Sequence, residues 1–169
     1  MDDMFILAAQ VGSALKERGL LLATAESCTG GGVAQAITDV PGSSEWFDGG
    51  FVAYSNAAKT AMLDVPASQI ALHGAVSEEI AALMAAGALA NSNADIAVAT
   101  TGIAGPGGAV PGKPVGTVCM AWVTGNREST ARMNFTGDRQ AVRKQTVAHI
   151  LRELLRLLPS VPARNGRQP

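Results

Sequence analysis

The sequence predicts a single layered α/β domain whose mixed, mainly parallel sheet is flanked by helices. Short apolar runs that suit buried strands alternate with segments whose apolar residues recur at helical spacing. Two late strands joined by a turn at Gly125-Asn126 predict an antiparallel hairpin. The chain has 169 residues, of which 47% are hydrophobic and 16% charged, which suffices for one substantial core.

The elements follow from this periodicity. The first helix is expected from Met4 to Arg18, where Gly19 ends it. Further helices are expected after Ser27, from N-caps at Asn56 and Ser77, around residues 44–47, and from Asp138. Strands are expected at 20–25, 51–54, 95–101, 115–123 and 130–135. We assign residues 1–159 to the domain and expect residues 160–169, rich in Pro, Gly and Arg, to form a disordered tail.

Charge and composition exclude several classes of partner. The formal net charge is −1, whereas nucleic-acid-binding domains carry a basic excess, so we expect no nucleic-acid partner. The acidic start, Met1-Asp2-Asp3-Met4, lacks the order of a secretory signal, and no apolar run approaches the roughly 18 residues of a membrane span. The two cysteines form neither a disulfide framework nor a metal motif. We therefore predict a cytoplasmic protein with no membrane contact.

A glycine-rich turn follows the first predicted strand, at Thr24-Ala25-Glu26-Ser27-Cys28-Thr29-Gly30-Gly31-Gly32. Side chains at the carboxyl end of a strand lie where open α/β sheets place their ligands. The next helix N-terminus offers backbone N–H groups, which can hold a phosphate or the oxyanion of an acyl-transfer reaction. A capped turn without such a function is the alternative. The segment is neither a Walker loop, nor a dinucleotide fingerprint, nor a nucleophile elbow.

A second group of polar residues contains Ser44, Tyr54 and Lys59. Tyr54 closes the second predicted strand, and Lys59 falls in the first turns of the next helix. A cation near a helix N-terminus is electrostatically unfavourable, so we expect the pKa of Lys59 to be lowered, and further lowered by burial. A neutral lysine can act as the base for a serine nucleophile. A surface lysine without that role is the alternative.

The third predicted strand ends at Thr101 and leads into a Gly/Pro-rich loop, 102–114, whose backbone donors can wrap a ligand. The two histidines give no sign of a Ser-His-Asp triad. His73 ends a short helix, and His149 is expected on the surface of the last helix.

Two arginines, Arg139 and Arg143, open the last helix. Arg143 shares a helical face with apolar residues and therefore points toward the edge of the core. An arginine there can hold a phosphate or a carboxylate. A structural ion pair with Asp138 or Glu26 is the alternative.

With these motifs in hand, the sequence is similar to the CinA C-terminal domain family from about Phe5 to Leu158. The similarity is carried by ordered segments along the chain, namely 24–31 (TAESCTGG), 41–44 (PGSS), 51–56 (FVAYSN), Lys59, 73–77 (HGAVS), 101–106 (TGIAGP), 113–118 (KPVGTV) and 137–139 (GDR).

The resemblance implies hydrolysis of the carboxamide of nicotinamide mononucleotide, which yields nicotinate mononucleotide and ammonia in pyridine-nucleotide salvage. It implies a serine amidohydrolase with a Ser/Lys dyad, without cofactor or metal ion, and we expect a homodimer. The positions that match the family's catalytic residues are Ser27, Ser44, Tyr54, Lys59 and Thr101. The substrate-binding candidates are Thr29, Gly30, Gly31, Gly102, Gly105, Arg139 and Arg143.

Some assignments stay open at this point. Ser27 is preferred to Ser44 as the nucleophile, and either Arg139 or Arg143 is expected at the 5′-phosphate. A cysteine amidase that uses Cys28 is a second possibility, because a helix N-terminus can activate a thiolate. A non-catalytic nucleotide-binding module associated with competence or DNA damage is a third.

Overall fold

The computed structural model describes residues 2–164, in which one five-stranded sheet lies between two layers of helices. The strands are β1 (Leu22–Glu26), β2 (Phe47–Val52), β3 (Ile96–Gly102), β4 (Thr117–Thr124) and β5 (Glu128–Asn134). The α-helices are α1 (Asp3–Glu17), α2 (Gly32–Thr38), α3 (Asn56–Leu63), α4 (Ala67–His73), α5 (Glu78–Ala90) and α6 (Arg139–Leu157). None of these helices combines the length and apolar character needed to cross a membrane.

The sheet is mixed, with the strand order β2-β1-β3-β4-β5. Strand β1 pairs in parallel with β2 and β3, whereas β3, β4 and β5 pair antiparallel. The predicted α/β class and the late hairpin are thereby confirmed. The carboxyl ends of β1, β2 and β3 meet at one edge of the sheet, where an open α/β sheet offers a binding crevice.

Two apolar cores cover the two faces of the sheet. Alternate residues of the central strands face opposite sides, so each strand contributes to both cores. The larger side chains of β3 and β4, such as Val98 and Trp122, pack with α1, α2 and α6. The other face is largely alanine, and this small side chain lets α5 approach the sheet closely.

The second strand begins four residues earlier than predicted, because Gly49 and Gly50 belong to β2 and not to a preceding loop. A Cβ atom on Gly50 would lie 2.5 Å from Thr24 Oγ1, so the pairing of β1 with β2 requires a glycine here. The predicted N-cap of α3 was wrong by one residue. Ser55, not Asn56, occupies that position, and its hydroxyl accepts the Ala58 N–H at 3.0 Å.

The C-terminal part of the chain is better packed than its composition suggested. His149 is half-buried with its ring between Trp122 and Phe135, not on the open surface of α6. Of the tail expected at 160–169, only residues 160–164 are described. In that part Val161 is buried against the core, and the Arg164 N–H donates to Arg18 O at 2.8 Å.

The contact between α5 and the end of α3 gives a stability prediction. A Cβ on Gly87 would lie 2.0 Å from Leu63 O, so Gly87→Ala forces the two helices apart. We expect a loss of roughly 1–3 kcal/mol and a melting temperature lower by roughly 2–10 °C in a thermal scan. Gly125→Ala, at a turn position with open space around it, is the control and should change the melting temperature by less than about 2 °C. Equal stability of the two variants would contradict the packing described.

Candidate active site

A cleft of about 260 Å³ opens at the edge where β1, β2 and β3 end. Ser27 follows β1 directly, and Tyr54 is the second residue after the end of β2. Thr101 is the second-to-last residue of β3, where it pairs with Cys119 of β4. Lys59 reaches the same place from α3. The cleft is lined by Ser27, Cys28, Tyr54, Asn56, Lys59, Ala75, Val76, Thr101, Gly102, Ile103, Ala104, Gly105, Gly107, Gly108 and Arg139.

The side chains of Ser27 and Lys59 are in hydrogen-bond contact at the floor of this cleft. Lys59 Nζ lies 3.1 Å from Ser27 Oγ and donates to Tyr54 O at 3.0 Å. The Ser27 hydroxyl is also 3.4 Å from Tyr54 O. A hydroxyl and an amine at this distance have the geometry of a nucleophile and its base.

Lys59 is only 2% exposed, which is unusual for a lysine. Its hydrogen-bond partners, a hydroxyl and a backbone carbonyl, are both uncharged. Burial therefore disfavours the ammonium form and lowers the pKa of Lys59 below its ordinary value, with a smaller opposing effect from Cys28. This agrees with the direction expected from the helix position of Lys59, and an exposed surface lysine is ruled out.

The turn that carries Ser27 is held from behind by a buried carboxylate. Glu26 is 1% exposed, and its Oε1 accepts the Thr29 hydroxyl at 2.6 Å and the Val33 N–H at 2.8 Å. Its Oε2 accepts the Ala34 N–H at 3.0 Å. The Thr29 hydroxyl also shares a hydrogen bond of 2.8 Å with that of Thr100. Glu26 thus fixes the turn to both α2 and β3.

This arrangement changes the expected role of the glycine turn. The first N–H groups of α2 are taken by the Glu26 carboxylate, so the N-terminus of α2 has no donors there for a phosphate. Thr29 is buried in the same network. Gly30 and Gly31 take positive φ angles of 59° and 97° to make the turn, and neither lines the cleft.

The two predicted arginines have different places. Arg139 lines the cleft, where it donates to Gly105 O at 2.8 Å and to the Tyr54 hydroxyl at 3.0 Å. Arg143 lines a separate groove behind the turn and donates to Thr29 O at 3.1 Å. Within residues 2–164 it forms an ion pair with neither Asp138 nor Glu26.

The end of β3 forms the opposite wall of the cleft. The Thr101 hydroxyl donates to Ala75 O at 2.8 Å, so its hydrogen is directed away from a ligand. The following loop brings Gly102 and Gly105 into the lining, where they stay candidates for substrate binding. Ala104 and Gly105 are buried there, and within residues 2–164 neither backbone N–H has an acceptor. Buried N–H groups are nearly always paired, so these two are candidate donors to a ligand.

Ser44 is not brought to this cleft. It is exposed on a short 3₁₀ helix, Ser43–Glu45, that precedes β2 at the amino end of the sheet. The Leu22 N–H at the start of β1 donates to Trp46 O, whereas Ser27 follows the end of the same strand. The length of β1, roughly 16 Å at 3.3 Å per residue, separates the two serines.

The thiol of Cys28 lies beside Ser27 but is not activated. Burial raises the pKa of Cys28 to about 12, and the hydrogen bond from Thr100 opposes this only partly. A thiol that holds its proton so firmly is a poor nucleophile at neutral pH. Among residues 2–164 there is also no cluster of His, Cys, Asp and Glu side chains that could hold a metal ion.

Some residues that line the cleft were not identified as site residues from the sequence. Asn56 was interpreted only as a helix cap, and Ala75 and Val76 carry no reactive group. The place of Glu26 in the first motif was visible, but its role as the buried anchor of the turn depends on contacts with α2. Nothing in the local sequence distinguishes such an anchor from a solvent-exposed acid.

The sequence profile of the CinA C-terminal domain matches residues 5–158. The chain belongs to the CinA C-terminal domain family. It is 52% identical over 157 residues to the nicotinamide-nucleotide amidohydrolase PncC of Pseudomonas putida. The aligned region covers 93% of this chain and 98% of that protein. It is 53% identical over 154 residues to the protein of the same name from Escherichia coli K12, covering 90% and 93% of the two chains.

The fold agrees with solved structures of this CinA family. A crystal structure of a competence-damaged protein (CinA) superfamily protein from Klebsiella pneumoniae superposes with a TM-score of 0.91 at 41% sequence identity. The superposition covers 94% of this chain and 99% of the other. The similarity therefore extends over the sheet, both helical layers and the strand ends that form the cleft.

The raised pKa of Cys28 gives a test of its reactivity. At about pH 7.5, on the order of one Cys28 thiol in 10⁴ or fewer is ionised, so iodoacetamide should leave it unlabelled in the folded protein. Cys119 is also buried, and burial raises its pKa to about 11, so it should resist as well. Mass spectrometry after labelling reports both sites, and labelling in urea serves as the control. Rapid labelling of folded Cys28 would contradict this description.

Proposed function

We propose that the protein hydrolyses the carboxamide of nicotinamide mononucleotide to nicotinate mononucleotide and ammonia, by a serine/lysine mechanism, in pyridine-nucleotide salvage. The observation that carries the proposal is the buried pair of Ser27 and Lys59, with 3.1 Å between Oγ and Nζ at the floor of a cleft. The substrate is supported by the names of relatives that share about half of their residues with almost the whole chain.

In the acylation step, neutral Lys59 takes the proton of the Ser27 hydroxyl while Oγ forms a bond to the carboxamide carbon. The resulting tetrahedral oxyanion collapses, the carbon–nitrogen bond breaks, and the amine takes a proton to leave as ammonia. Lys59 is well situated to return that proton, because it contacts Ser27 Oγ, whereas the Tyr54 hydroxyl is held by Arg139.

The oxyanion needs hydrogen-bond donors that are already in place. The buried N–H groups of Ala104 and Gly105, which have no acceptor within residues 2–164, are the donors we assign to it. The Thr101 hydroxyl supports the wall of the cleft through Ala75 O instead of donating to the substrate. Gly102 lets this wall turn closely against Val118, because a Cβ on Gly102 would lie 2.7 Å from a Val118 methyl group.

Deacylation repeats the first step with water as the nucleophile. Lys59 removes a proton from water, the hydroxide attacks the ester carbonyl, and Ser27 Oγ leaves with the proton that Lys59 returns. Arg139, at the mouth of the cleft, is the residue we assign to the 5′-phosphate. No step requires a metal ion or a cofactor.

The cellular location, the partners and the oligomeric state of the enzyme are also part of the proposed function. We propose that it works in the cytoplasm on a small-molecule substrate, without nucleic acid, and as a homodimer. The net charge of −1 supports the absence of a nucleic-acid partner. Exposed apolar side chains on α3 and α4, Met62 and Leu72, supply area that a second copy can cover.

The direct test is incubation of the pure protein with nicotinamide mononucleotide in the presence of a chelator. Ammonia and nicotinate mononucleotide should form in equal amounts. Ser27→Ala should lower kcat by at least roughly 10³-fold, because the nucleophile is lost. Ser44→Ala, which changes an exposed serine far from the cleft, is the matched control and should stay within about twofold of the parent enzyme.

The outcomes separate the alternatives. Absence of product from neutral to alkaline pH contradicts the enzyme and favours a non-catalytic nucleotide-binding module. A larger loss in Ser44→Ala than in Ser27→Ala contradicts the assignment of the nucleophile. Mass spectrometry of the protein during turnover adds a second measurement, since only a chain with Ser27 should carry the nicotinoyl-nucleotide mass.

The lowered pKa of Lys59 sets the pH dependence. Below that pKa the amine is protonated and cannot accept the Ser27 proton, so kcat/KM should rise about tenfold per pH unit and then level off. The midpoint should lie below the ordinary lysine value of 10.5. Lys59→Arg keeps a positive charge that does not ionise in this range, and it should lose activity at every pH. A profile that is flat between about pH 6 and pH 9 in the parent enzyme, while Lys59→Arg remains active, would overturn the role of Lys59.

A further inference from the structure

Within residues 2–164, the side chains that line the cleft beside Ser27 include basic groups and no acid, although the proposed substrate brings a positively charged ring into it. Among its lining residues are the Lys59 amine and the Arg139 guanidinium, and none of them is Asp or Glu. In nicotinamide mononucleotide the ring nitrogen is bonded to ribose, so the pyridine ring carries a formal positive charge that free nicotinamide lacks. Among the described residues that line the cleft, no carboxylate is present to pair with that charge.

Tyr54 is the aromatic residue of this lining. Tyr54 is 59% exposed, whereas most apolar residues of the fold are buried. Its backbone carbonyl accepts hydrogen bonds from Lys59 Nζ and Ser27 Oγ, so the ring starts beside the reacting groups. An aromatic ring at that position is within reach of a pyridine ring whose carboxamide lies against Ser27.

The hydroxyl of Tyr54 is also held by a hydrogen bond from Arg139. One nitrogen of Arg139 donates to the Tyr54 hydroxyl at 3.0 Å, and another donates to Gly105 O at 2.8 Å, so the side chain is tied across the mouth of the cleft. A donor to a phenol oxygen lies near the plane of the ring and beyond its edge, which leaves the faces of the ring to other contacts. The π face carries the partial negative charge that attracts a cation.

We propose that the π face of Tyr54 binds the pyridinium ring of the substrate through a cation–π contact. Tyr54 thereby selects pyridine carboxamides with a charged, N-substituted ring over neutral ones. The inference rests on the proposed amidohydrolase function and gives Tyr54 a role in specificity in place of proton transfer. A neutral ring can stack on Tyr54 equally well in shape, but it lacks the electrostatic part of the contact.

Binding to an inactive enzyme isolates this recognition from the reactivity of the amide. The background is Ser27→Ala, and the probes are nicotinamide mononucleotide and its carbon-linked analogue, in which ribose is attached to a ring carbon and the ring is neutral. Calorimetry gives a Kd for each probe with Tyr54, Tyr54→Phe and Tyr54→Leu. We expect the charged nucleotide to bind about five- to thirtyfold more tightly with Tyr54 and with Tyr54→Phe. With Tyr54→Leu the two probes should bind within about twofold of each other.

Two results would overturn the inference. If Tyr54→Leu weakens both probes equally, the ring acts by shape and not by recognising charge. If Tyr54→Phe loses the preference as completely as Tyr54→Leu, the hydroxyl and its bond to Arg139 are responsible. Thermal scans of the three proteins should agree within about 3 °C, because Tyr54 is exposed.

A separate measurement keeps this result distinct from the proposed reaction. Turnover of nicotinamide mononucleotide by the unmodified enzyme is measured first, and its absence overturns the proposed function alone. The smaller pair of 1-methylnicotinamide and nicotinamide, tested as competitive inhibitors, repeats the comparison of ring charge without ribose or phosphate. The charged compound should inhibit more strongly with Tyr54 and lose that advantage with Tyr54→Leu, and equal inhibition by both compounds with Tyr54 would overturn the inference.

Discussion

The burial of the Lys59 amine at the edge of the sheet is the constraint on which the rest of the site depends. Lysine is almost never fully buried without a counter-ion, yet the hydrogen-bond partners of this one are a hydroxyl and a carbonyl. Removing an ammonium from water without a carboxylate to pair it is unfavourable, so the pKa of Lys59 falls and the neutral amine is favoured relative to an exposed lysine. A lysine that served only packing would be better replaced by an apolar residue of similar size.

The buried acid of the same turn is kept from cancelling this effect by the geometry of the strand. Successive residues of a strand face opposite sides, so Glu26 meets α2 while Ser27 meets Lys59 on α3. An ion pair between Glu26 and Lys59 would stabilise the ammonium and raise the pKa of Lys59. Instead the Glu26 carboxylate interacts with the N-terminus of α2, where negative charge is favourable, and holds the turn rigid. Glu26 thus holds the turn on one face of the sheet, while its neighbour Ser27 contacts Lys59 on the other face.

Hydrophobic periodicity was sufficient to predict the α/β class, the hairpin and α6, because these elements bury long apolar stripes. It failed at β2, where Gly49-Gly50 reads as a loop although the close approach of Thr24 requires a glycine within the strand. Ser44 is close to Tyr54 in sequence, which suggested that both belong to one site. Strand β2 lies between them, however, so Ser44 and Tyr54 are at opposite ends of the sheet. Arg139 and Arg143 are one helical turn apart, and only the tertiary contacts reveal that one faces the cleft and the other faces the back of the turn.

The occupied N-terminus of α2 further restricts how a nucleotide can lie in the proposed site. A phosphate placed there would be repelled by the Glu26 carboxylate, and the N–H groups of the helix already donate to that carboxylate. Of the residues that line the cleft, Arg139 is the basic side chain that is exposed, and the donors of its planar fork beyond those to Gly105 and Tyr54 suit a phosphate. In the proposed binding mode, with the carboxamide at Ser27 and the phosphate at Arg139, the pyridine ring is placed beside Tyr54, which has hydrogen bonds to both residues. In that arrangement Arg139 contacts both the phosphate and the Tyr54 hydroxyl, so phosphate binding and the proposed recognition of the ring are linked through one side chain.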